Sequence, residues 1–194
     1  MDTGNCILHS SFGLDGQKAV FANEGRILAV IASDGRFQQV VFWDLTQPDK
    51  PPEVFKDQSI LNQLEVSPDQ RWVATCSQNG SVVLYDALTM QRDKVLHGRM
   101  QGVDGLVFSP DGKTLVSGAG GFEAIKLWHI ETGQELLTLP GKGSLLSEVQ
   151  FMENGNTILA GRFGQRGVWQ MWRAPSWEEI AAAEAQETAK NQQP

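Results

Sequence analysis

The sequence predicts an all-β fold built from four repeated units, and three observations lead to this prediction. Large aromatic residues recur at nearly equal spacing; these anchors are Trp43, Tyr85, Trp128 and Trp172, which lie 42, 43 and 44 residues apart. Each anchor ends a short run of β-branched, leucine and aromatic residues, which is typical of a strand. Glycine makes up 20 of the 194 residues, which indicates many tight turns. A period of this length corresponds to one small sheet in each repeat.

Each unit is predicted to contain the same succession of short strands and turns. The first strand has one internal spacing of apolar residues, seen in Leu61/Leu64/Val66, Val103/Leu106/Phe108 and Leu146/Val149/Phe151. A turn rich in Pro, Asp, Asn and Gly follows at Ala22–Gly25, Ser67–Gln70, Ser109–Gly112 and Met152–Gly155. The second strand is predicted at Trp72–Thr75, Thr114–Ser117 and Thr157–Ala160. A third strand that ends at the anchor and an outer fourth strand complete the unit, and four strands in roughly 40–45 residues form a propeller blade.

At these positions the chain resembles the WD-repeat β-propeller family, which is named for a Trp-Asp pair that closes the third strand. The corresponding pairs here are Trp43-Asp44, Tyr85-Asp86, Trp128-His129 and Trp172-Arg173. The first keeps both residues, the second keeps the acid, and the last two keep the aromatic residue alone. The resemblance extends from about Lys18 to Arg173 and is strongest from Val103 to Trp128. It implies the family's architecture and a protein-binding scaffold, without implying a particular chemistry.

The chain departs from this family around the buried hydrogen-bond network of the Trp residue. The places of the family's Gly-His pair hold Lys56-Asp57, Gly98-Arg99 and Gly141-Lys142, and an Asp place in the second unit holds Asn79. No unit has both partners of the network. We therefore expect the blades to be held together mainly by apolar packing.

The repeats divide the chain into six segments. We expect an N-terminal segment at 1–17 that supplies an outer strand to an adjacent blade, blades at 18–56, 57–98, 99–141 and 142–173, and a C-terminal helix and tail at 174–194. The last blade is predicted to lack its outer strand. The helix is predicted because Ser176 and Glu179 form a capping box and because Trp177 and Ile180 share one helical face.

Three arrangements remain open for four blades: a fragment of a longer propeller, two chains that close one eight-bladed ring, and a small four-bladed ring. The fragment is favoured, because Cys6-Ile7-Leu8 has the composition of an outer strand for an absent or partner blade. An open arc exposes apolar faces and strand edges. We therefore expect a homodimer, or contacts with the remaining blades of a longer parent chain.

Composition and motifs argue against several classes of function. The chain has 16 Lys and Arg against 23 Asp and Glu, whereas duplex nucleic-acid binders carry an excess of basic residues. The cysteines and histidines show no metal-binding spacing, so no metal or cofactor is expected. Glu65, Asp104 and Glu148 occupy non-equivalent rungs of the inner strands, so no acid–base pair is predicted and the chain is not expected to be an enzyme. Without a signal peptide or a membrane-length apolar run, a cytoplasmic location with no membrane contact is expected.

Loop lengths indicate that one face of the predicted propeller is a recognition surface. The spacing from the first strand to the second is seven residues in all four units, whereas the spacing from the second to the third varies from 10 to 13. These variable links and the links between blades emerge together on what we call the variable-loop face. Arg and aromatic residues dominate the energetics of protein interfaces. The candidate interaction residues on this face are Arg36, Phe37, Gln78, Arg99, Met100, Phe122, Arg162, Phe163 and Arg166.

These observations predict a non-catalytic protein–protein interaction scaffold that binds its partners through the variable-loop face. The alternative is a regulatory or sensor segment of a larger bacterial signalling protein, such as a serine/threonine protein kinase. The C-terminal segment resembles the end of WD-repeat regions in multidomain proteins of the planctomycete or verrucomicrobial kind. The chain itself contains neither the HRD nor the DFG motif of a kinase.

Overall fold

The computed structural model describes residues 15–97, 102–120, 125–141, 146–152, 155–161, 169–175 and 179. In these residues the strands are β1 (Asp15–Ala22), β2 (Ile27–Ser33), β3 (Gln38–Asp44), β4 (Glu53–Asp57), β5 (Leu61–Val66), β6 (Trp72–Ser77), β7 (Ser81–Asp86), β8 (Gln91–His97), β9 (Val103–Phe108), β10 (Thr114–Ala119), β11 (Ile125–His129), β12 (Glu135–Leu139), β13 (Glu148–Phe151), β14 (Thr157–Gly161) and β15 (Gln170–Arg173). Consecutive strands pair in antiparallel fashion into four sheets, which we call blades 1 to 4: β1–β4, β5–β8, β9–β12 and β13–β15.

The blades follow one another around their innermost strands. β1 contacts β5, β5 contacts β9, and β9 contacts β13. The predicted all-β fold of four WD-type propeller blades is therefore confirmed. Blade 4 ends at β15, and the described residues contain no fourth strand for it. The C-terminal helix predicted from Ser176 is not seen, because it lies outside the described residues, which beyond Pro175 include only Glu179.

A serine and an aspartate close the turn between the first two strands of blade 3. The Ser109 hydroxyl donates a hydrogen bond to Asp111 (Oγ to Oδ1, 2.6 Å) and accepts one from the Thr114 amide at 2.9 Å. Gly112 has a φ of 69°, in the left-handed region that favours glycine. Both features agree with the turn predicted at Ser109–Gly112.

The equivalent turn of blade 2 replaces this glycine by Gln70, which adopts a φ of 59°. The replacement has a structural use, because Gln70 connects the turns of blades 1 and 2. Its side-chain oxygen accepts a hydrogen bond from the Glu24 amide at 2.6 Å, and its carbonyl accepts one from the Asn23 amide at 3.0 Å. These two bonds offset the cost of a left-handed conformation at a residue with a side chain.

Apolar clusters fill the three joints between neighbouring blades. The anchor of each later blade faces the preceding blade, with Tyr85, Trp128 and Trp172 in successive joints. The residue before each anchor faces the following blade, and Phe42 and Leu84 are fully buried at this position. The alternation follows from the two-residue period of a strand. Apolar packing thus holds the blades together. This agrees with the expectation drawn from the sequence, in which no unit has both partners of the family's buried hydrogen-bond network.

Asp44, the acid of the Trp43-Asp44 pair, closes blade 1 with a network of hydrogen bonds. The Asp44 carboxylate accepts from the Arg26 guanidinium at 2.8 and 3.2 Å and from the Thr46 hydroxyl and amide at 2.6 and 3.0 Å. The bonds from Arg26, followed by those from Thr46, hold the pKa of Asp44 well below its usual value of 3.8. The acid of the pair therefore stabilises the turn after β3 in its charged form.

Replacing Asp44 by asparagine is expected to destabilise the fold at neutral pH and to matter progressively less in acid. The pKa of Asp44 is lowered in the folded state, so the charged carboxylate contributes its full stabilisation above the pKa of an unfolded aspartate, about 4. That contribution is lost progressively as the pH falls from this value towards the lowered pKa of the folded state. Urea unfolding of wild type and Asp44→Asn from about pH 7 to about pH 3 measures it. A difference between the two proteins that stays constant across this range would contradict the assignment.

Candidate functional site

On the variable-loop face, the link between β2 and β3 presents Arg36 and Phe37 from a fixed turn. The Asp34 carboxylate accepts hydrogen bonds from the Phe37 and Arg36 amides at 2.7 and 2.9 Å, and these bonds lower the pKa of Asp34. Gly35 supplies a φ of 82°. The Phe37 side chain is 42% exposed, and the Lys56 ammonium lies 5.8 Å from its ring centroid. The Lys56 ammonium also lies 3.9 Å from the Asp34 carboxylate. The turn thus presents an exposed aromatic ring and two cations, of which Lys56 is paired with Asp34.

The link between blades 1 and 2 adds an exposed apolar residue to the same face. The Gln78 amide donates a hydrogen bond to the Ile60 carbonyl at 2.9 Å, and the Asn79 amide donates one to the Ser59 hydroxyl at 3.1 Å. Ile60 is half-exposed and Gln78 is exposed. These bonds join the β4–β5 and β6–β7 links into one surface.

Sequence reasoning missed two members of this surface, Lys56 and Ile60. The residue types that indicated an interface were Arg and aromatic residues, with a few of their neighbours in the variable links, and Lys56 and Ile60 are of neither type. The available signal was Ile60 itself, a single apolar residue at the end of the polar link Asp57–Ser59. The approach of Lys56 to Phe37 depends on the pairing of β3 with β4, which loop lengths do not reveal.

Three of the nine candidate interaction residues fall within the described part of the chain. Arg36, Phe37 and Gln78 are all exposed on the variable-loop face. The other six lie outside the described residues: Arg99, Met100, Phe122, Arg162, Phe163 and Arg166. The structure therefore describes only the part of the candidate interaction surface that lies on blades 1 and 2.

The inner strands bring together a polar cluster along the centre of the arc. Gln63 donates a hydrogen bond to Glu65 at 2.7 Å and accepts one from the Lys18 ammonium. Burial raises the pKa of Glu65, Gln63 and Lys18 oppose this shift, and Glu148 adds to it. Among the residues the structure describes, no three His, Cys, Asp or Glu side chains are grouped to hold a metal ion.

The face opposite the variable loops has a cleft of about 400 Å³ between blades 2 and 3. The Arg71 guanidinium stacks on the Trp72 ring there, 4.7 Å from its centroid. It also lies 3.9 Å from the carboxylates of Asp86 and Glu131. Arg71 is thus engaged in joining the two blades, while Lys113 also lines the cleft. We take the variable-loop face as the candidate for binding because it presents the exposed Phe37 ring on a turn that is fixed by hydrogen bonds.

Comparisons with known proteins agree with this architecture. Residues 50–86 and 91–122 match the family model described as WD domain, G-beta repeat. An uncharacterised WD repeat-containing protein of Synechocystis is 30% identical over 145 residues, covering 73% of this chain and 40% of that protein. The transcription factor unc-37 of Caenorhabditis elegans is 28% identical over 102 residues, covering 53% of this chain and 16% of that protein. The chain therefore spans less than half the length of these curated relatives.

Among solved structures, the crystal structure of the computationally designed protein Ika4 is similar to this chain. The superposition has a TM-score of 0.68 at 23% identity and covers 89% of this chain and 100% of that one. This similarity concerns the fold alone. In the described residues, no helix is long and apolar enough to cross a bilayer.

Proposed function

Because the chain has a WD-repeat propeller fold, and because two of its stretches match the WD domain model, we propose that it is a non-catalytic scaffold for protein–protein interaction. Its partners bind the variable-loop face. WD-repeat proteins generally bind protein partners, and the described links of the variable-loop face carry the exposed residues Arg36, Phe37 and Gln78. The observation that carries the proposal is the exposed Phe37 ring, held on a preorganised turn beside the Lys56 ammonium.

Preorganisation favours binding at this turn. The two amide bonds to Asp34 fix the backbone before a partner arrives, so little conformational entropy is lost on association. Phe37 supplies an apolar contact, and Arg36 and Lys56 suit a partner with acidic groups around an apolar one. Ile60 and Gln78 extend the surface towards blade 2.

Replacing Arg36 and Phe37 together by alanine is expected to abolish partner capture and to leave the melting temperature nearly unchanged. Both side chains are exposed, so truncation removes binding contacts and little buried area. The measurement is affinity capture from the source cells with the wild-type and variant chains, alongside thermal unfolding.

The matched control is Leu88→Ala, since Leu88 is 65% exposed in the β7–β8 turn on the opposite face. It should retain every protein that the wild type retains. If the control loses the same proteins, or if the double variant keeps them, the variable-loop face is not the binding surface.

The second proposal is that the chain is the regulatory or sensor segment of a larger bacterial signalling protein, such as a serine/threonine protein kinase in the cytoplasm. It is supported by the relatives' length, because the chain covers 40% of one and 16% of the other. The coding sequence upstream of Met1 tests it. An open reading frame that continues into a kinase domain would support the segment, and a stop codon directly upstream would exclude a kinase domain on the N-terminal side.

The segment boundaries belong to the same proposal. We place the units at 18–56, 57–98, 99–141 and 142–173, with 1–17 as the outer strand of an adjacent blade. That adjacent blade belongs either to a second copy or to the rest of a longer parent chain.

A further inference from the structure

The outward face of blade 4 exposes positions that are buried or partly buried in the other blades. The residues three positions before the anchors are Val40, Val82, Ile125 and Trp169. The first three are at most 1% exposed, whereas Trp169 is 44% exposed. Directly before each anchor, Phe42 and Leu84 are fully buried and Leu127 is partly buried, whereas Met171 is 66% exposed. These positions face the following blade, and blade 4 has none among the described residues.

The exposed surface of blade 4 is shaped as a packing platform. A Cβ atom added to Gly161 would lie 2.5 Å from the Trp169 ring, so this glycine lets the indole lie directly against β14. The partly buried Leu159 is on the same outward face, since it alternates with Ile158 and Ala160, which belong to the joint with blade 3. Trp169, Leu159 and Met171 therefore form one apolar patch.

Blade 1 presents the other half of the same kind of joint. Phe21 is 59% exposed, whereas Phe108, its equivalent in blade 3, is 6% exposed and packs in the joint with blade 2. Trp43 is only partly buried, as is Trp172, whereas the anchors Tyr85 and Trp128 are 1% and 3% exposed. These positions face a preceding blade, which blade 1 lacks among the described sheets.

We propose that the outward face of blade 4 binds the outward face of blade 1 in a second copy of this chain, and that the reciprocal contact closes a ring of eight blades. The internal joints supply the template. Phe42 contacts Tyr85 with ring centroids 5.2 Å apart, and the equivalent contact places Met171 against Trp43 of the second copy. Thioether sulfur against an aromatic ring is a favourable contact.

The second copy is the occupant because the chain itself carries both complementary faces. A head-to-tail joint leaves one of each face uncovered until the assembly closes, and closure with two copies covers all four. The inference rests on the propeller arrangement and is independent of binding by the variable-loop face. The Arg36/Phe37 double variant should therefore keep the mass of the wild type, which separates a failure of one proposal from a failure of the other.

The test is the mass of the purified 194-residue chain by size-exclusion chromatography with light scattering, from micromolar to near-millimolar concentration. The wild type should show twice the chain mass of 21.3 kDa. Met171→Glu and Phe21→Lys should each restore the single-chain mass. Met171→Leu, which conserves the apolar contact, and Leu88→Glu, which places a charge on an exposed apolar site elsewhere, should keep the doubled mass. Circular dichroism of each variant shows that it is folded.

Three results would overturn the proposal. They are a wild-type chain of single mass at every concentration, a doubled mass that survives both face variants, and a mass that rises without limit, which would indicate an open filament. A shortened chain that ends at Pro175 tests whether residues 176–194, rather than a second copy, cover the outward face of blade 4. If it dimerises while the full chain is single, residues 176–194 cover the face instead.

Discussion

Replacing Trp128 by alanine is expected to lower the free energy of unfolding by about 3–5 kcal/mol. Trp128 is 3% exposed and belongs to the cluster between blades 2 and 3. Truncation removes the buried indole and leaves a cavity that the two sheets are too rigidly paired to fill. Urea unfolding of the two proteins, followed by circular dichroism, measures the loss.

Two further variants separate the packing of Trp128 from its polar contact. The indole Nε1 donates a hydrogen bond to the Ser117 hydroxyl at 2.9 Å. Ser117→Ala removes the acceptor and keeps the ring, so it should cost about 1–3 kcal/mol. Trp128→Phe keeps most of the apolar volume and should fall between the wild type and the alanine variant. A loss below about 1 kcal/mol for Trp128→Ala would mean that the anchor does not carry the joint.

Replacing Gly118 by alanine is expected to cost about 1–3 kcal/mol or more, the range for forcing extra volume into a packed interior. A Cβ at Gly118 would lie 2.7 Å from the Leu146 carbonyl oxygen and would also collide with the Val149 side chain. The oxygen belongs to the backbone, so relief requires blade 4 to move away from blade 3. Thermal unfolding and limited proteolysis of the chain after β12 would show this opening.

The matched control for Gly118 is Gly16→Ala on β1. Its added Cβ would meet only the Val30 side chain, at an ordinary 3.8 Å. The unfolded chain loses freedom when glycine becomes alanine, so this variant should be neutral or slightly stabilising. Equal destabilisation by both variants would show that backbone propensity, and not the blade 3–blade 4 joint, determines the effect.

The fold was predictable because its determinants are local and repeated. The Ser109–Gly112 turn and the anchor Trp128 each lie within one strand or hairpin, so the period of the sequence exposes them. Gln70 shows where this reasoning reached its limit. The left-handed position that Gln70 occupies in its turn favours glycine. Glutamine is accommodated there because its side chain accepts a hydrogen bond from the Glu24 amide in blade 1, a contact that the sequence does not reveal.

The candidate site was less predictable because it depends on contacts between links. Phe37 and Arg36 were identifiable from residue type and loop length. Ile60 was not, because its place beside Gln78 results from the way blade 2 follows blade 1.

The constant orientation of the anchors determines how such a chain can gain or lose residues during evolution. Tyr85, Trp128 and Trp172 each pack against the preceding blade, and the residue before an anchor packs against the following blade. Every joint therefore pairs the same two kinds of apolar surface. In-frame duplication or deletion of a whole unit restores a matching pair on both sides of the change. A shorter insertion within a strand displaces the side chains to the wrong face. Whole-repeat recombination is therefore the change in length that this architecture tolerates best, and its arrays are expected to evolve in steps of one blade.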